Sequence, residues 1–442
     1  MKRFKWLALV LALAMVAAAC GGDDSTDTTS GDGGGDGDLA GTEVSVFGAF
    51  TSVEADAVNA IIDQFYEAET GGTATYEGSD SFEEQIKIRV EGGSPPDIAI
   101  YPQPGSVVEQ AEAGAAIALE DLGIDVGELE EIFGEYLISL GEYNGKHYGF
   151  PTNVNTKGLI WYPLPEFTDA GYEVPATWDE LIALSDQILA DGNTPWCHGI
   201  GSDANTGWPA TDWMESIMLN TAGAEAYDRW VTNDLKFNSP EVKRAAELFG
   251  DTVFPEGYTL GGPEQVPAID FRDAPDPMFN DPPSCYLFRQ ASFITNFFPE
   301  GLTAGVDYGV FPFPAIDEGV SGALIAGELA AIFRDAPEVK AFIENFASTE
   351  VQCAQGGFEG VQRISPNINV GADCYKDELT ASQAQSITDA LKAGGARFDA
   401  SDLMPSAVGS GTFWTGMVDY MRGGPEVLDQ VLAEIDASWP SS

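Results

Sequence analysis

Positive charge is scarce in this chain. Its 442 residues carry 20 Lys and Arg against 71 Asp and Glu, a formal net charge of −51. Such a surface repels phosphate backbones, which excludes nucleic acid as a partner. The same excess of carboxylates keeps a chain soluble, also in a salty medium. Histidine is nearly missing, with His147 and His198 the two present, and no Cys-x-x-Cys occurs. A zinc site therefore lacks its usual donors, and no metal or cofactor is expected. No histidine-based triad or nucleophile elbow is visible, and no internal repeat recurs. Beyond the first twenty residues no apolar run is long enough to span a membrane.

What is present begins with an export signal. Lys2, Arg3 and Lys5 precede the apolar run 7–16, and Ala17, Ala18 and Ala19 offer a small-residue cleavage point. This is the layout of a secretory signal over 1–19, shorter than the ~20 residues of a spanning helix. Cys20 follows at once and resembles the acylated cysteine of a bacterial lipobox, although Ala17 stands where that motif prefers Leu. The resemblance implies a lipid anchor at Cys20 and membrane contact through it. Residues 21–38 are Gly, Asp, Ser and Thr, with nothing to bury, so 20–38 reads as a tether. The rest, with 44% hydrophobic and 11% aromatic residues in the whole chain, suffices for a two-lobed globule.

Four further cysteines remain: Cys197, Cys285, Cys353 and Cys374. An even number in an oxidising compartment suggests two disulfides, with three possible pairings. Local spacing favours Cys353–Cys374 and leaves Cys197–Cys285.

Strand and helix patterns alternate after the tether. Strands are expected at 43–47, 73–76 and 97–101, and helices at 55–69, 81–91 and 107–116. This order predicts a parallel α/β sheet. Thr177 with Glu180 predicts a capping box for a helix over 178–189, and Pro337 opens another with Val339, Phe342, Ile343 and Phe346 on one face.

Specific motifs then appear. Asn144-Gly145-Lys146-His147-Tyr148-Gly149-Phe150-Pro151, Gly158-Leu159-Ile160-Trp161-Tyr162 and Pro175-Ala176-Thr177-Trp178-Asp179-Glu180-Leu181 resemble the bacterial extracellular solute-binding proteins, the family that includes maltose-binding protein. Thr206-Gly207-Trp208-Pro209, Arg289-Gln290-Ala291-Ser292-Phe293, Ser401-Asp402-Leu403-Met404-Pro405 and Gly411-Thr412-Phe413-Trp414 are similar to its α-glucoside-binding subgroup. The resemblance implies an α/β, two-lobed fold with a hinge and a ligand cleft between the lobes. It maps the first lobe to 39–151 plus 286–334 and the second to 152–285 plus 335–442, with both disulfides in the second. It also implies a monomer that delivers an oligosaccharide, a disaccharide by size, to the permease subunits of an ABC importer.

A sugar presents C–H faces that stack on aromatic rings and hydroxyls that need directional partners. Trp414 matches the position where maltose-binding relatives stack a sugar ring. Trp208 and Asp212 follow a Gly/Asn-rich loop, where a buried helix start is the alternative. Ser79, Asp80 and Glu83 follow the second strand at the mouth of a parallel sheet, where ligands bind, or else cap a helix. Tyr101 and Gln103 end the third strand, while Asn153 and Asn155 lie on the segment crossing between lobes. Arg289 is either a ligand contact or a partner for a carboxylate. Glu328, inside an apolar run, demands pairing or a cleft, and Asp402 beside Met404 poses the same demand. The rival classes are a secreted glycosidase built on two carboxylates and a surface sensing or adhesion module.

Overall fold

The computed structural model describes residues 39–358 and 361–440. The expected signal 1–19, the tether and the acylation of Cys20 lie outside them. Alternating burial makes Glu43–Gly48 (β1) and Thr73–Gly78 (β2) half-buried strands, with Val44 and Val46 inward and Glu43 and Ser45 outward. Ile98–Tyr101 (β3) is buried at every residue. β1 pairs in parallel with β2 and with β3. The helix Ser52–Ile61 continues as the π-helical turn Ile62–Glu67 between the first two strands, and Phe82–Glu91 lies between the second and third. The expected helix at 107–116 runs instead over Pro104–Glu112, because Pro104 opens it and the chain breaks at Gly114.

Glu142–Tyr143 (β4) and Lys146–His147 (β5) form a hairpin whose turn residues Asn144 and Gly145 have φ of 51° and 75°, as a two-residue mirror-image turn requires. It leads into Gly149–Thr156 (β6) and then Leu159–Pro163 (β7). Phe288–Gln290 (β8) and Tyr308–Pro312 (β9) flank β7 in a three-stranded antiparallel sheet. Ala323–Ile332 (β10) and Ala396–Phe398 (β11) complete the larger sheet.

β10 is the strand that joins the two halves. Its C-terminal residues Leu329 to Ile332 pair antiparallel with β3, and Ala323 to Ile325 pair in parallel with β11. β6 runs antiparallel along its other edge. The register slips there: Glu328 faces Asn153 but Leu329 faces Pro151, so Thr152 is the extra residue of a bulge. Thr152 Oγ1 donates to the Glu328 carbonyl at 3.2 Å. Gly327 allows the close approach, since a Cβ there would lie 2.2 Å from the Asn153 carbonyl oxygen.

Two main cores sit on either side of these crossing strands. The first gathers Val46, Ile61, Phe65 and Ile98 with Val339, Phe342, Ile343 and Phe346 of the helix Pro337–Ala347. The second gathers Leu181, Trp213, Phe249, Met417, Tyr420 and Leu432 from five helices, the first of which, Trp178–Ala190, carries the expected Thr177–Glu180 capping box. A smaller cluster packs Trp161 of β7 against Phe288, Ile294 and Tyr308.

This packing corrects the expected lobe boundaries. Segment 286–334 does not belong wholly to the first lobe, because β8 and β9 pair with β7 in the second. Segment 335–442 does not belong wholly to the second. The chain leaves β10 beside β3, so the apolar face of Pro337–Ala347 meets the first core directly. Cys197–Cys285 and Cys353–Cys374 are both formed. The former lies in the cluster around Trp161. The latter hangs on the helix Thr349–Gly356, whose Val351 enters the first core, so each lobe holds one disulfide rather than the second holding both. Among the described residues no helix is long and apolar enough to cross a membrane.

Candidate functional site

The strand ends of both lobes open on a shared cleft whose empty space, mouth included, is about 1130 Å³. Phe50 and Glu54 reach it from beyond β1, Ser79, Asp80 and Glu83 from beyond β2, and Gln103 from beyond β3. The crossing strands contribute Asn153, Asn155 and Glu328. Trp208, Asp402 and Trp414 face it from the second lobe. Of the residues named from sequence, then, Ser79, Asp80, Glu83, Gln103, Asn153, Asn155, Trp208, Glu328, Asp402 and Trp414 line one cavity.

Tyr101, Asp212 and Arg289 do not. Tyr101 is 2% exposed and stands edge-on to Phe82 at 5.2 Å, because strand alternation turns its ring into the first lobe. Asp212 and Arg289 partner each other: Arg289 Nη1 lies 2.9 Å from Asp212 Oδ2, both side chains fully buried. Arg289 Nη2 also donates to the Asp212 carbonyl and to Ser216 Oγ, each at 2.7 Å. Arg289 thus has the carboxylate partner that one of its two readings called for.

Sequence reasoning missed the cation beside them. Lys157 Nζ donates to Asp212 Oδ1 at 2.8 Å and Asp399 Oδ2 at 2.7 Å. Burial pushes the Asp399 carboxyl up, but the charge and hydrogen bond of Lys157, with bonds involving Asp212 and Glu215, outweigh it and hold Asp399 at about 2. Burial, opposed by Lys157 and Arg289, leaves Asp212 at about 6. Glu215 and Asp402 are pushed well above the carboxylate range, first by burial and then by the negative charge of Asp399. The network thus sets Lys157 and Arg289 against Asp212 and Asp399, while burial and neighbouring negative charge favour the neutral forms of Glu215 and Asp402, which is how so many acids share a dry space. Asp212, Glu215 and Asp399 converge as a metal set would, yet the cation among them is the Lys157 ammonium.

A second charged group lies on the opposite wall. Burial, then the negative charge of Glu54, raises Glu328 to about 7 against the pull of Arg363, and burial raises Glu54 too. Glu328 Oε2 and Gln103 Oε1 are buried acceptors with no hydrogen-bond partner among the described residues. Each cation of the cleft rests on a ring: Lys157 Nζ 4.9 Å over Trp208, Arg272 4.8 Å over Phe271, and Arg363 4.9 Å over Phe50. Trp208 meets Phe271 edge-on at 4.9 Å. Trp414 is only 3% exposed, and its Nε1–H donates to Ser401 Oγ at 3.2 Å. Lys157, Arg272 and Arg363 carried one usable signal, their rarity: a cation inside so acidic a chain has a specific task. Phe50, Phe271 and Phe297 carried none, since core phenylalanines look alike.

Two walls of the cleft bond to each other. Asn205 Nδ2 donates to Glu83 Oε2 at 2.8 Å, and Asn296 Nδ2 to Glu54 Oε1 at 3.1 Å. Aromatic faces alternating with amides and carboxyls suit an uncharged, hydroxyl-rich molecule.

The chain belongs to the bacterial extracellular solute-binding proteins, a family that it matches over residues 51–352. It is therefore an exported solute-binding protein and not an enzyme. It is 41% identical to AglE, an alpha-glucosides-binding periplasmic protein of Rhizobium meliloti, over 91% of this chain and 88% of that one. It is 38% identical to GgtB, an osmoprotective compounds-binding protein of Synechocystis sp., over the full length of both. Solved structures share the fold. The solute receptor AcbH, at 16% identity, gives a TM-score of 0.76 over 91% of this chain and 98% of that one. RafE from Streptococcus pneumoniae, at 19% identity, gives 0.66 over 90% and 98%.

Proposed function

We propose that this chain is the extracytoplasmic substrate-binding component of an ABC sugar importer, anchored by lipid at Cys20, and that its ligand is an α-glucoside of disaccharide size. The observation that carries the reading is the pair of unmet acceptors, Glu328 Oε2 and Gln103 Oε1, set in a cleft walled by Trp208, Phe50 and Trp414. Buried acceptors without partners are costly, and sugar hydroxyls supply the missing donors. Asn153, Asn155, Ser79 and Asp402 are further hydroxyl partners in this reading. The name of the Rhizobium relative supports the α-glucoside class. Closure of the lobes about β6 and β10 grips the ligand and presents the loaded form to the permease.

A second reading has its own support, since the Synechocystis relative aligned over both full lengths is named for osmoprotective compounds. Thermal shift against maltose, trehalose, sucrose and glycine betaine separates the two, because a ligand stabilises the state that binds it. Stabilisation by betaine and by none of the sugars would overturn the sugar reading, and glucose release from maltose would revive the glycosidase. The anchor is tested apart from this: Cys20→Ser should release the protein from membranes.

A further inference from the structure

We infer that the Cys353–Cys374 disulfide is a positioning device for the ligand cleft, so that the site is completed only where this bond can form, outside the reducing cytoplasm. The inference rests on the ligand-binding reading of the cleft given above. Cys353 lies on the helix Thr349–Gly356, and the bond ties it to Cys374, 21 residues further on. The loop so closed carries Gln362 and Arg363 into the cleft wall.

That loop is folded back onto its own helix at several points. Arg363 Nε donates to Gln355 Oε1 at 3.3 Å, and Ser365 Oγ donates to Gln352 Oε1 at 2.7 Å. Both glutamines are on the helix that bears Cys353. Beyond the second cysteine, the Lys376 N–H donates to the Gly356 carbonyl at 3.2 Å. Gly356 is pressed against Tyr375, whose ring a Cβ would meet at 2.7 Å. A helix of eight residues is marginal alone. Closing the loop covalently removes much of the freedom these weak contacts must otherwise overcome.

What the loop delivers matters to both lobes. Arg363 is 4% exposed, rests over Phe50, and is the cation whose charge acts most strongly on the buried carboxyls of Glu328 and Glu54, ahead of Lys157 and Arg272. Without Arg363 the mutual repulsion of these two buried acids loses its main counterweight. Gln362 meets the second lobe through its backbone: its N–H donates to Asn296 Oδ1 at 2.5 Å, and its carbonyl accepts from Asn296 Nδ2 at 3.3 Å. Thr295 Oγ1 donates to Gln362 Oε1 at 2.6 Å. The two disulfides differ in burial. Cys197 and Cys285 are 2% and 0% exposed, whereas Cys353 and Cys374 are only half-buried. Disulfides do not persist in a reducing cytoplasm. The chain before export should thus bind its ligand poorly.

The test uses the full mature chain with Cys353→Ser and Cys374→Ser together, and the sugar among maltose, trehalose and sucrose that most stabilises the wild type. In the unliganded variant, amide exchange over 361–367 should rise at least tenfold while β1 to β3 keep their protection. Affinity should fall at least tenfold. In an Arg363→Ala background the same pair of serines should change affinity less than twofold, because the positioned group is already gone. If the serine variant does not fold, mild thiol treatment of the native protein opens the less buried bond and the same measurements apply. Unchanged exchange, unchanged affinity, or full additivity with Arg363→Ala would overturn the inference. If no sugar bound the wild type, the proposed function would fall, and the exchange result alone would decide whether the bond positions the loop.

Discussion

Arg272 reaches across the cleft and donates from Nη2 to Asp80 Oδ1 at 2.9 Å, joining the two lobes by an ion pair whose side chains are 30% and 49% exposed. Asp80 thereby has a protein partner of its own. An exposed pair of this kind contributes up to about 1 kcal/mol, and less in high salt. Asp80→Asn should raise the ligand release rate roughly two- to fivefold. The double exchange Asp80→Arg with Arg272→Asp should restore it, which a direct sugar contact from Asp80 would not permit. Stopped-flow release at low and high salt reads both effects.

Lys157 gives a prediction of larger size. It is buried between Asp212 and Asp399, and replacing it with methionine leaves two carboxylates with one cation fewer. Breaking a buried pair from one side costs about 3–5 kcal/mol. Chemical denaturation of Lys157→Met should show a loss of that order. A loss within the ordinary range of a surface substitution would mean that the network does not hold the second lobe together.

How much of this was legible in the sequence follows from the range of each cause. The Thr177–Glu180 box and the Pro337 helix start depend on neighbours three residues away, and both are found where expected. Ser79, Asp80, Glu83 and Gln103 could be placed at the cleft because ends of parallel strands face a crevice whatever the side chains. Arg289 was ambiguous because its partner is 77 residues distant, and nothing local separates a buried ion pair from a ligand contact. The lobe boundaries failed for a similar reason. Chain order does not say which core the apolar face of Pro337–Ala347 will fill, and only the pairing of β10 with β3 decides it. Lys157 and Arg363 were missed because their tasks exist only once both walls are assembled.

The two tryptophans should behave differently on truncation. Trp208 is partly exposed in the cleft, so Trp208→Ala should weaken sugar binding by about 1–3 kcal/mol and leave the melting temperature near that of the wild type. Trp414 is nearly buried and bonded to Ser401, so Trp414→Ala should also cost on the order of 3–5 kcal/mol of stability. Calorimetric titration and thermal melts on the two variants check this. Equal melting temperatures would place Trp414 on the ligand side alone.

Glu328 sets a pH dependence whose sign is fixed by its position. Its carboxyl is drawn up from an ordinary 4.5 to about 7 by burial and by Glu54, against Arg363, the hydrogen bond of Asn153 and the charge of Lys157. Asp402 faces it from the second lobe as a further acid. A carboxyl that holds its proton more tightly when folded stabilises the fold fully below about pH 4.5, and that contribution is lost as pH rises through about 7. The loss amounts to at most on the order of 3 kcal/mol. Glu54, raised in the same direction, adds to the same limb. Glu328→Gln removes the titration while keeping the shape. It should therefore flatten the fall in melting temperature between pH 5 and pH 8, and gain on the wild type steadily toward the alkaline end. Glu54→Gln should flatten the same limb by its own share. A Glu328→Gln variant whose melting temperature ran parallel to the wild type across that range would mean that Glu328 is ionised throughout and balanced by Arg363. In that case Arg363→Gln, and not Glu328→Gln, would be the substitution that changes the slope.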